Sequence, residues 1–262
     1  MGVNGDFKGP SSWSVSAGSR VAPLIVAHRG DQESAPENTL DAFLSAVEKG
    51  ADGIEIDVRL SKDGYVMVMH DRHLDRTTNA KGPAGTLTLD ELKTLDAGSW
   101  FHPRFKGTRV PTLEEVFEIL PRSYLVNVEL KVRGWGVRPL VKGVVKAIER
   151  FKRWESTLVA SFNPVAPFVL RKMDPSIRRG YIWSATHPLP IRDRWLSPIA
   201  NSSWMDPAEK TFTPRLLKYF HLQGKPVLAW DLDAGRDLER LGRMGLDALV
   251  TDNLQGLVEQ RA

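Results

Sequence analysis

The sequence predicts an α/β protein, a (β/α)8 TIM barrel, from three observations. The chain has 262 residues, close to the roughly 250 residues that are typical of this barrel. Short apolar runs typical of buried strands alternate with stretches whose apolar residues recur at helical spacing. Histidines and carboxylates lie in or directly after several of these runs, and barrel enzymes place their reactive groups at strand ends.

Eight segments are predicted as barrel strands because each is a short apolar run. They are Leu24–Ala27, Gly53–Val58, Leu125–Leu130, Thr157–Ser161, Gly180–Trp183, Ser203–Met205, Val227–Trp230 and Ala248–Thr251. Tyr65–Met69 is predicted as the returning arm of a hairpin instead, since the Asp-Gly turn signal at Ser61–Gly64 precedes it. Alternation of these strands with helices predicts a parallel sheet covered by helices.

Helices are predicted between the strands. The first carries Leu40, Phe43, Leu44 and Val47 on one stripe, with Gly50 just past its end. The others are Val137–Arg153, Val165–Met173, Pro214–Leu222 and Asp237–Met244.

One segment interrupts the alternation of strands and helices. Residues 71–107 are rich in Gly, Pro, Thr and charge, and predict a small insertion after the second barrel strand, with a short helix at Thr88–Leu95. We expect this insertion to cover the pocket and contact substrate without supplying metal ligands. Residues 1–20 are rich in Gly and Ser and predict a flexible leader, so that residues 21–262 form a single barrel domain.

Composition restricts the partners. The net charge of +4 is scattered along the chain, which suits an anionic small molecule and gives no sign of a nucleic-acid partner. The sequence contains no signal peptide and no run of 18 apolar residues, so no membrane span is predicted. Cysteine is absent, which excludes disulfides and favours a cytoplasmic protein. The oligomeric state is left open.

The first predicted strand is followed by a histidine, an arginine and a glycine, at His28, Arg29 and Gly30. An imidazole transfers protons near neutral pH, and a guanidinium binds two phosphate oxygens in a fork. Histidines at strand ends also occur as core residues, so the triplet alone leaves a structural role open.

A pair of carboxylates lies in the second predicted strand. Glu55 and Asp57 are two residues apart and therefore share one face of the strand. Two buried carboxylates on one face repel each other and lose solvation unless a cation or a base lies between them. The pattern therefore predicts a divalent metal site.

A second histidine, His70, ends the predicted returning arm of the hairpin. If the two arms fold back about their turn, His70 lies opposite Glu55. One imidazole would then lie on each side of a metal-bound phosphate.

A third carboxylate and a lysine follow in the next strand. Asn127, Glu129 and Lys131 share a face, so Glu129 would complete a site of three carboxylates and Lys131 would add positive charge for the phosphate. A plain salt bridge between Glu129 and Lys131 is the structural alternative. An all-carboxylate site suits Mg²⁺ or Ca²⁺, and Mn²⁺ also fits.

Taken together, these motifs resemble the glycerophosphodiester phosphodiesterases in order and spacing. The resemblance is carried by His28–Gly30, Pro36–Thr39, Glu55 and Asp57, His70–Asp71, Leu74 and Arg76–Thr78, Glu129–Lys131, Ser161–Asn163, Ala229–Trp230 and Thr251–Asn253. It covers the chain from about Leu24 to the C-terminus.

The resemblance implies a barrel enzyme that hydrolyses glycerophosphodiesters to sn-glycerol 3-phosphate and an alcohol, with one divalent cation. The roles it implies are as follows: Glu55, Asp57 and Glu129 are metal ligands, His28 and His70 are the general acid/base pair, and Arg29 and Lys131 are phosphate contacts.

Three further residues have two interpretations each, and a fourth, Phe162, has one. Trp230 resembles a tryptophan that lines the family's site, and both it and Phe162 are expected to contact substrate, with core packing as the alternative for Trp230. Asp252 either orients Arg29 or a histidine, or caps a helix. Asn38 is either a cap or a site residue.

Departures from the family pattern leave the alcohol open. Asp231, Leu232 and Asp233 stand where the family usually has Thr-Val-Asn, and the region Trp183–Trp204 is long and aromatic.

Three other functions remain open at this point. A lysophospholipase D-type enzyme would need an apolar groove at the pocket mouth, to which the extra tryptophans would contribute. A non-catalytic glycerophosphodiester-binding protein would not need two proton-transfer groups. A Schiff-base barrel enzyme would have to use Lys131, but neighbouring carboxylates oppose the lowered lysine pKa that this chemistry needs.

Overall fold

The sheet is a closed barrel. The computed structural model describes residues 10–19, 22–184, 197–208, 211–230 and 238–261. In these ranges nine strands form one sheet: β1 Leu24–His28, β2 Gly53–Leu60, β3 Val66–Val68, β4 Leu125–Leu130, β5 Thr157–Ser161, β6 Arg178–Trp183, β7 Trp204–Pro207, β8 Leu228–Ala229 and β9 Ala248–Thr251.

All strands except β3 run parallel, in the spatial order β7-β6-β5-β4-β2-β1-β9-β8. Parallel bridges from Met205 to Val227 and from Ala208 to Trp230 join β7 to β8 and close the barrel. The predicted (β/α)8 fold is therefore confirmed. The predicted hairpin is also confirmed, because β3 pairs antiparallel with β2 outside the barrel.

Helices lie between the strands. Within the ranges given above they are α1 Leu40–Glu48, α2 Leu89–Thr94, α3 Leu113–Ile119, α4 Arg138–Phe151, α5 Val165–Met173, α6 Ser197–Ala200, α7 Pro214–His221, α8 Leu238–Arg243 and α9 Leu254–Arg261. Most predicted helices and strands agree with these bounds to within one or two residues. No helix in the described part of the chain is long and apolar enough to cross a membrane.

Two apolar clusters hold the barrel together. The larger lies between the strands and the covering helices, and includes Ile54, Ile56 and Val58 from β2. The smaller includes Leu24 and Val26, which share a strand face with His28, and therefore fills the barrel interior below the strand ends.

A tryptophan from the predicted leader belongs to the interior cluster. Trp13 is 1% exposed, its indole N–H donates to the Ser156 carbonyl at 3.1 Å, and its ring meets Trp204 edge to face at 5.2 Å. Ser156 precedes β5 and Trp204 begins β7, so Trp13 closes the barrel at the N-terminal ends of the strands. The expectation of a flexible leader does not hold at Trp13, because a large apolar ring finds a buried place there. The domain limits stay a prediction.

The insertion after the second barrel strand has an apolar cluster of its own. Met67 and Met69 from the hairpin pack there against Leu74, Leu92 and other residues of the insertion. Thr88 caps the N-terminus of its helix α2 and forms a reciprocal capping box with Glu91.

Candidate active site

Three neighbouring strands bring the predicted site residues together. The sheet register pairs His28 with Glu55, and Asp57 with Glu129. Because the strands are parallel, their carboxyl ends meet at one rim of the barrel. The side chains of Glu55 and Asp57 are buried there, and that of Glu129 is 12% exposed.

The three carboxylates form a compact cluster. One oxygen from each of Glu55, Asp57 and Glu129 lies within 4.8 Å of the others. Glu55 Oε1 has no hydrogen-bond partner among the described residues, although it is buried. Burial, and next the charge of Asp57, raises the pKa of Glu55 to about 8, and burial also raises the pKa of Glu129. A cation among these oxygens would relieve both effects, so the residues present fit a divalent metal.

Two cations and an amide surround Asp57. Lys131 Nζ lies 2.9 Å from Asp57 Oδ1 and 2.7 Å from Glu129 Oε1, so the salt bridge weighed from the sequence is present. Arg29 Nε lies 3.4 Å from Asp57 Oδ2, and Asn38 donates its side-chain N–H to the same oxygen at 2.8 Å. Burial alone would raise the pKa of Asp57, but Lys131 and Arg29 hold it below its usual range. Asn38 is therefore a site residue, while Thr39 caps α1.

A left-handed turn aims Arg29 into the site. Arg29 has φ 58° and Gly30 has φ 81°, a region that favours glycine. A Cβ on Gly30 would lie 2.8 Å from the backbone of Ala42, so only glycine fits beside α1. The Arg29 N–H donates to Glu55 Oε2 at 3.2 Å, which ties this strained turn to the carboxylate cluster.

His28 is held by an aspartate from the last barrel strand. Its Nδ1 hydrogen-bonds to Asp252 Oδ1, while its Nε2 lies 3.9 Å from Glu55 Oε2. Burial lowers the pKa of His28, but the hydrogen bond to Asp252 and the charge of Glu55 together outweigh burial and raise the pKa to about 9. Of the two interpretations of Asp252, the structure favours orientation of a histidine.

His70 is held in the same manner by its neighbour in sequence. Its Nδ1 lies 2.7 Å from Asp71 Oδ1, and burial lowers its pKa. The expected position opposite Glu55 is wrong by one residue, because β3 pairs Val68 with Val58. Continued beyond Met69, that register would bring His70 level with Ile56.

A chain of ion pairs joins His70 to Arg29. Arg76 Nε donates to Asp71 Oδ2 at 2.8 Å, and the Arg76 guanidinium also binds both oxygens of Glu37. Glu37 Oε1 in turn accepts from Arg29 at 2.9 Å. Glu37 and Arg76 were not predicted as site residues, although both lie within the motifs that resemble the family.

The two aromatic residues that were expected to contact the substrate pack against each other. Phe162 and Trp230 pack edge to face with ring centroids 5.5 Å apart. The Trp230 indole N–H donates to the Asp206 carbonyl at 3.1 Å, which fixes a half-buried ring at the strand ends.

A buried carboxyl group, that of Asp206, lies on β7, beside the strand that leads to Trp230. Asp206 is 2% exposed, and neither of its oxygens has a hydrogen-bond partner in the described ranges. Burial, followed by the charge of Glu129, raises its pKa well above the usual range. No motif or spacing in the sequence indicated a role for this residue.

Part of the aromatic region noted in the sequence lies in the core. Trp183 and Trp204 are at most 1% exposed and contribute nothing to the pocket mouth. Residues 185–196 and 231–237, which carry the remaining departures from the family pattern, lie outside the described residues.

A groove opens beside this cluster. It encloses about 1210 Å³ and extends from Glu129 and His70, past Lys131, to Gly85 of the insertion and Asn163 after β5. Two aspartate-held imidazoles, two cations and three clustered carboxylates at its end suit a phosphodiester, whose charge must be neutralised and whose oxygens must exchange protons.

Known proteins are similar to this chain in sequence and in fold. The sequence profile of the glycerophosphoryl diester phosphodiesterase family matches residues 28–255. A glycerophosphodiester phosphodiesterase of Caldanaerobacter subterraneus is 37% identical over 90% of this chain and 96% of its own length. One from Bacillus altitudinis is 32% identical over 87% of this chain and 94% of its own length.

Solved structures of other phosphodiesterases have a similar fold. A phosphodiesterase of Oleispira antarctica, in complex with its product sn-glycerol-3-phosphate, has a TM-score of 0.80 and 30% identity, covering 92% of this chain and 97% of that one. The glycerophosphodiester phosphodiesterase of Agrobacterium tumefaciens has a TM-score of 0.75 and 29% identity, covering 90% of this chain and 99% of that one. This chain therefore belongs to the glycerophosphoryl diester phosphodiesterase family of hydrolases.

Proposed function

We propose that the protein hydrolyses glycerophosphodiesters to sn-glycerol 3-phosphate and an alcohol with the help of one divalent cation, Mg²⁺ or Ca²⁺. The convergence of two aspartate-held histidines on three buried carboxylates carries this proposal. The Oleispira antarctica relative, whose product is sn-glycerol-3-phosphate, supports it. The cytoplasmic location stays a prediction from the sequence.

The cations of the site neutralise the negative charge of the phosphodiester. Arg29 and Lys131 bind the non-bridging phosphate oxygens, and Glu55, Asp57 and Glu129 hold the divalent cation. When bound, that cation supplies further positive charge to the phosphoryl group. These contacts lower the repulsion that a negatively charged diester presents to an attacking oxygen.

Proton transfer falls to the two histidines. Because each Nδ1 is held by an aspartate, Nε2 is the ring atom that moves a proton in His28 and in His70. One imidazole takes the proton of the attacking oxygen and the other gives a proton to the departing alkoxide. Each is worth about 10²–10⁴-fold in rate.

Phosphorus NMR tests the reaction directly. The protein is incubated with glycerophosphocholine and, separately, with lysophosphatidylcholine, in Mg²⁺ or Ca²⁺ and then in EDTA. We expect metal-dependent formation of glycerol 3-phosphate from glycerophosphocholine. Turnover of the lyso-lipid alone would instead indicate a lysophospholipase D-type enzyme, and binding without turnover of either would indicate a binding protein.

Variants test the assigned roles. We expect His28→Ala and His70→Ala each to lower kcat by at least about 10²-fold while cooperative unfolding is retained. Glu129→Gln should lose activity at limiting metal. Loss of cooperative unfolding in a histidine variant would favour a core role, and full activity of Glu129→Gln at limiting metal would remove Glu129 from the ligand set.

A further inference from the structure

Three arginines line the groove beyond the reacting groups. Arg59 comes from the end of β2, Arg72 from the start of the insertion and Arg133 from the loop after β4. Together with Lys131 they give this wall four permanent cations. Glu129 is the one carboxylate that lines the groove in the described part of the chain, and it is already paired with Lys131.

These arginines differ from the cations of the reaction centre. Arg29, Arg76 and Lys131 each pair with a carboxylate. Across the described ranges, none of the three groove arginines forms an ion pair with a carboxylate. Each therefore brings to the groove a positive charge without a direct ion-pair partner, and a bound anion would supply that partner.

Arg59 is fixed in place. Its Nε and Nη2 donate to the His70 carbonyl at 3.0 and 2.6 Å, and the side chain is half buried. Arg133 lines the same groove, and two guanidinium groups without an ion-pair partner at a groove wall form a favourable place for an oxyanion.

The size of the groove indicates which part of the diester lies there. At about 1210 Å³ it exceeds the roughly 300–1,000 Å³ typical of small-molecule sites. The glycerol arm is small and common to all substrates of the proposed function, so the groove beside His70 suits the variable alcohol. Phe162 is the one Phe, Tyr or Trp among its described lining residues, which gives no aromatic cage for a choline-like cation.

We propose that this groove binds the alcohol moiety and selects alcohols that carry an additional anionic group, a phosphate or a carboxylate. The inference rests on the proposed function and adds the substrate class to it. Arg72 and Arg133 are the exposed contacts for this anion, and Arg59 is the fixed one.

Two matched pairs of diesters test the selection. Glycerophosphoglycerol is compared with the same diester carrying a terminal phosphate on the alcohol. Glycerophosphoethanolamine is compared with glycerophosphoserine, which adds a carboxylate. We expect the member with the extra anion to have about ten-fold higher kcat/KM, mostly through a lower KM, with a preference that weakens as salt rises. The pair with the larger ratio identifies which anion the groove takes.

Variants locate the selection. Arg72→Gln with Arg133→Gln should bring the ratio of kcat/KM within each pair close to one. Arg171→Gln is the matched control, because Arg171 is exposed near the end of α5, at the opposite end of the barrel. Its ratios should equal those of the unaltered protein. Arg59 is left unaltered because it also holds the backbone of His70.

The outcomes separate the two proposals. Turnover of all four diesters without preference would overturn the anion selection and leave the proposed function standing. A preference that survives in the double variant would also overturn the assignment to these arginines. Failure to hydrolyse any of the four diesters would contradict both proposals.

Discussion

The two histidines of the site have opposite pKa shifts. His28 lies between Asp252 and Glu55, which favour its protonated form, whereas burial lowers the pKa of His70. Such a difference is what an acid/base pair needs, since the two groups must hold different protonation states at one pH.

Removing the Asp252 carboxylate charge should lower the pKa of His28. In the protein freed of metal by EDTA, His28 stabilises the fold fully below pH 6.5, and this stabilisation is lost as pH rises to about 9. At about 1.36 kcal/mol per pKa unit, the full effect is roughly 3 kcal/mol. For Asp252→Asn we expect a shallower fall in the free energy of unfolding between pH 6 and 9.5, measured by urea titration.

Glu118→Gln is the control for this experiment, because Glu118 is an exposed carboxylate on α3. It should keep the pH dependence of the unaltered protein. An unchanged pH dependence in Asp252→Asn would show that Asp252 does not set the pKa of His28.

Asp206 should lower the stability of the fold at neutral pH. Its pKa is raised in the fold, so the unfolded chain ionises above about pH 4 while the folded chain does not, and stability is lost as pH rises. We expect Asp206→Asn to raise Tm at pH 8 by roughly 2–4 °C, the effect of about 1 kcal/mol in a domain of this size. The difference should shrink towards pH 3.5.

Exposed Asp90 offers the comparison, and Asp90→Asn should leave Tm unchanged at both pH values. A Tm gain for Asp206→Asn that is the same at pH 8 and pH 3.5 would rule out ionisation as its cause.

At the scale of elements, periodicity predicted most of the barrel. Leu125–Leu130, Thr157–Ser161 and Ala248–Thr251 have the predicted bounds because short apolar runs between turn residues have few other stable arrangements. The register of the hairpin was harder to predict, since a slip of one residue changes which side chains are opposite each other. That slip moved the expected partner of His70 from Glu55 to Ile56.

The leader shows what composition cannot predict. Its Gly and Ser residues favour disorder, yet one tryptophan finds a cavity formed by strands far along the chain, and local sequence carries no signal for such a contact. The left-handed turn at Arg29 is similar, because its conformation depends on the packing of Gly30 against α1.

Trp13→Ala should destabilise the fold by about 3–5 kcal/mol, because it leaves a cavity at the closed end of the barrel. Urea unfolding measures the change, and Trp13→Phe should recover part of it. Activity at low temperature should be kept in both variants, since Trp13 lies at the end opposite the reactive groups. Equal stability of Trp13→Ala and the unaltered protein would show that the leader is not docked in solution.

For the whole molecule, a divalent cation held by the three clustered carboxylates would couple the folded state to metal binding. Adding Mg²⁺ or Ca²⁺ at about 100 times its Kd should stabilise the fold by about 2.7 kcal/mol, or roughly 5–10 °C in Tm. Thermal melts in EDTA and in metal measure this. Glu129→Gln should melt higher than the unaltered protein in EDTA, because the cost of burying this carboxylate charge is gone, and should gain less from metal.

A Tm that does not respond to either cation would contradict a metal site among these carboxylates. Exposed Glu118→Gln serves again as the comparison, with the full metal response expected.

The insertion has its own apolar cluster, while the three clustered carboxylates belong to barrel strands. Arg72 and the turn at Ala84–Thr86 form part of the groove wall without belonging to the barrel. Inheritance can therefore act on the two parts separately. Substitutions confined to the insertion would alter the groove wall in one lineage and leave the barrel strands and their carboxylates unaltered.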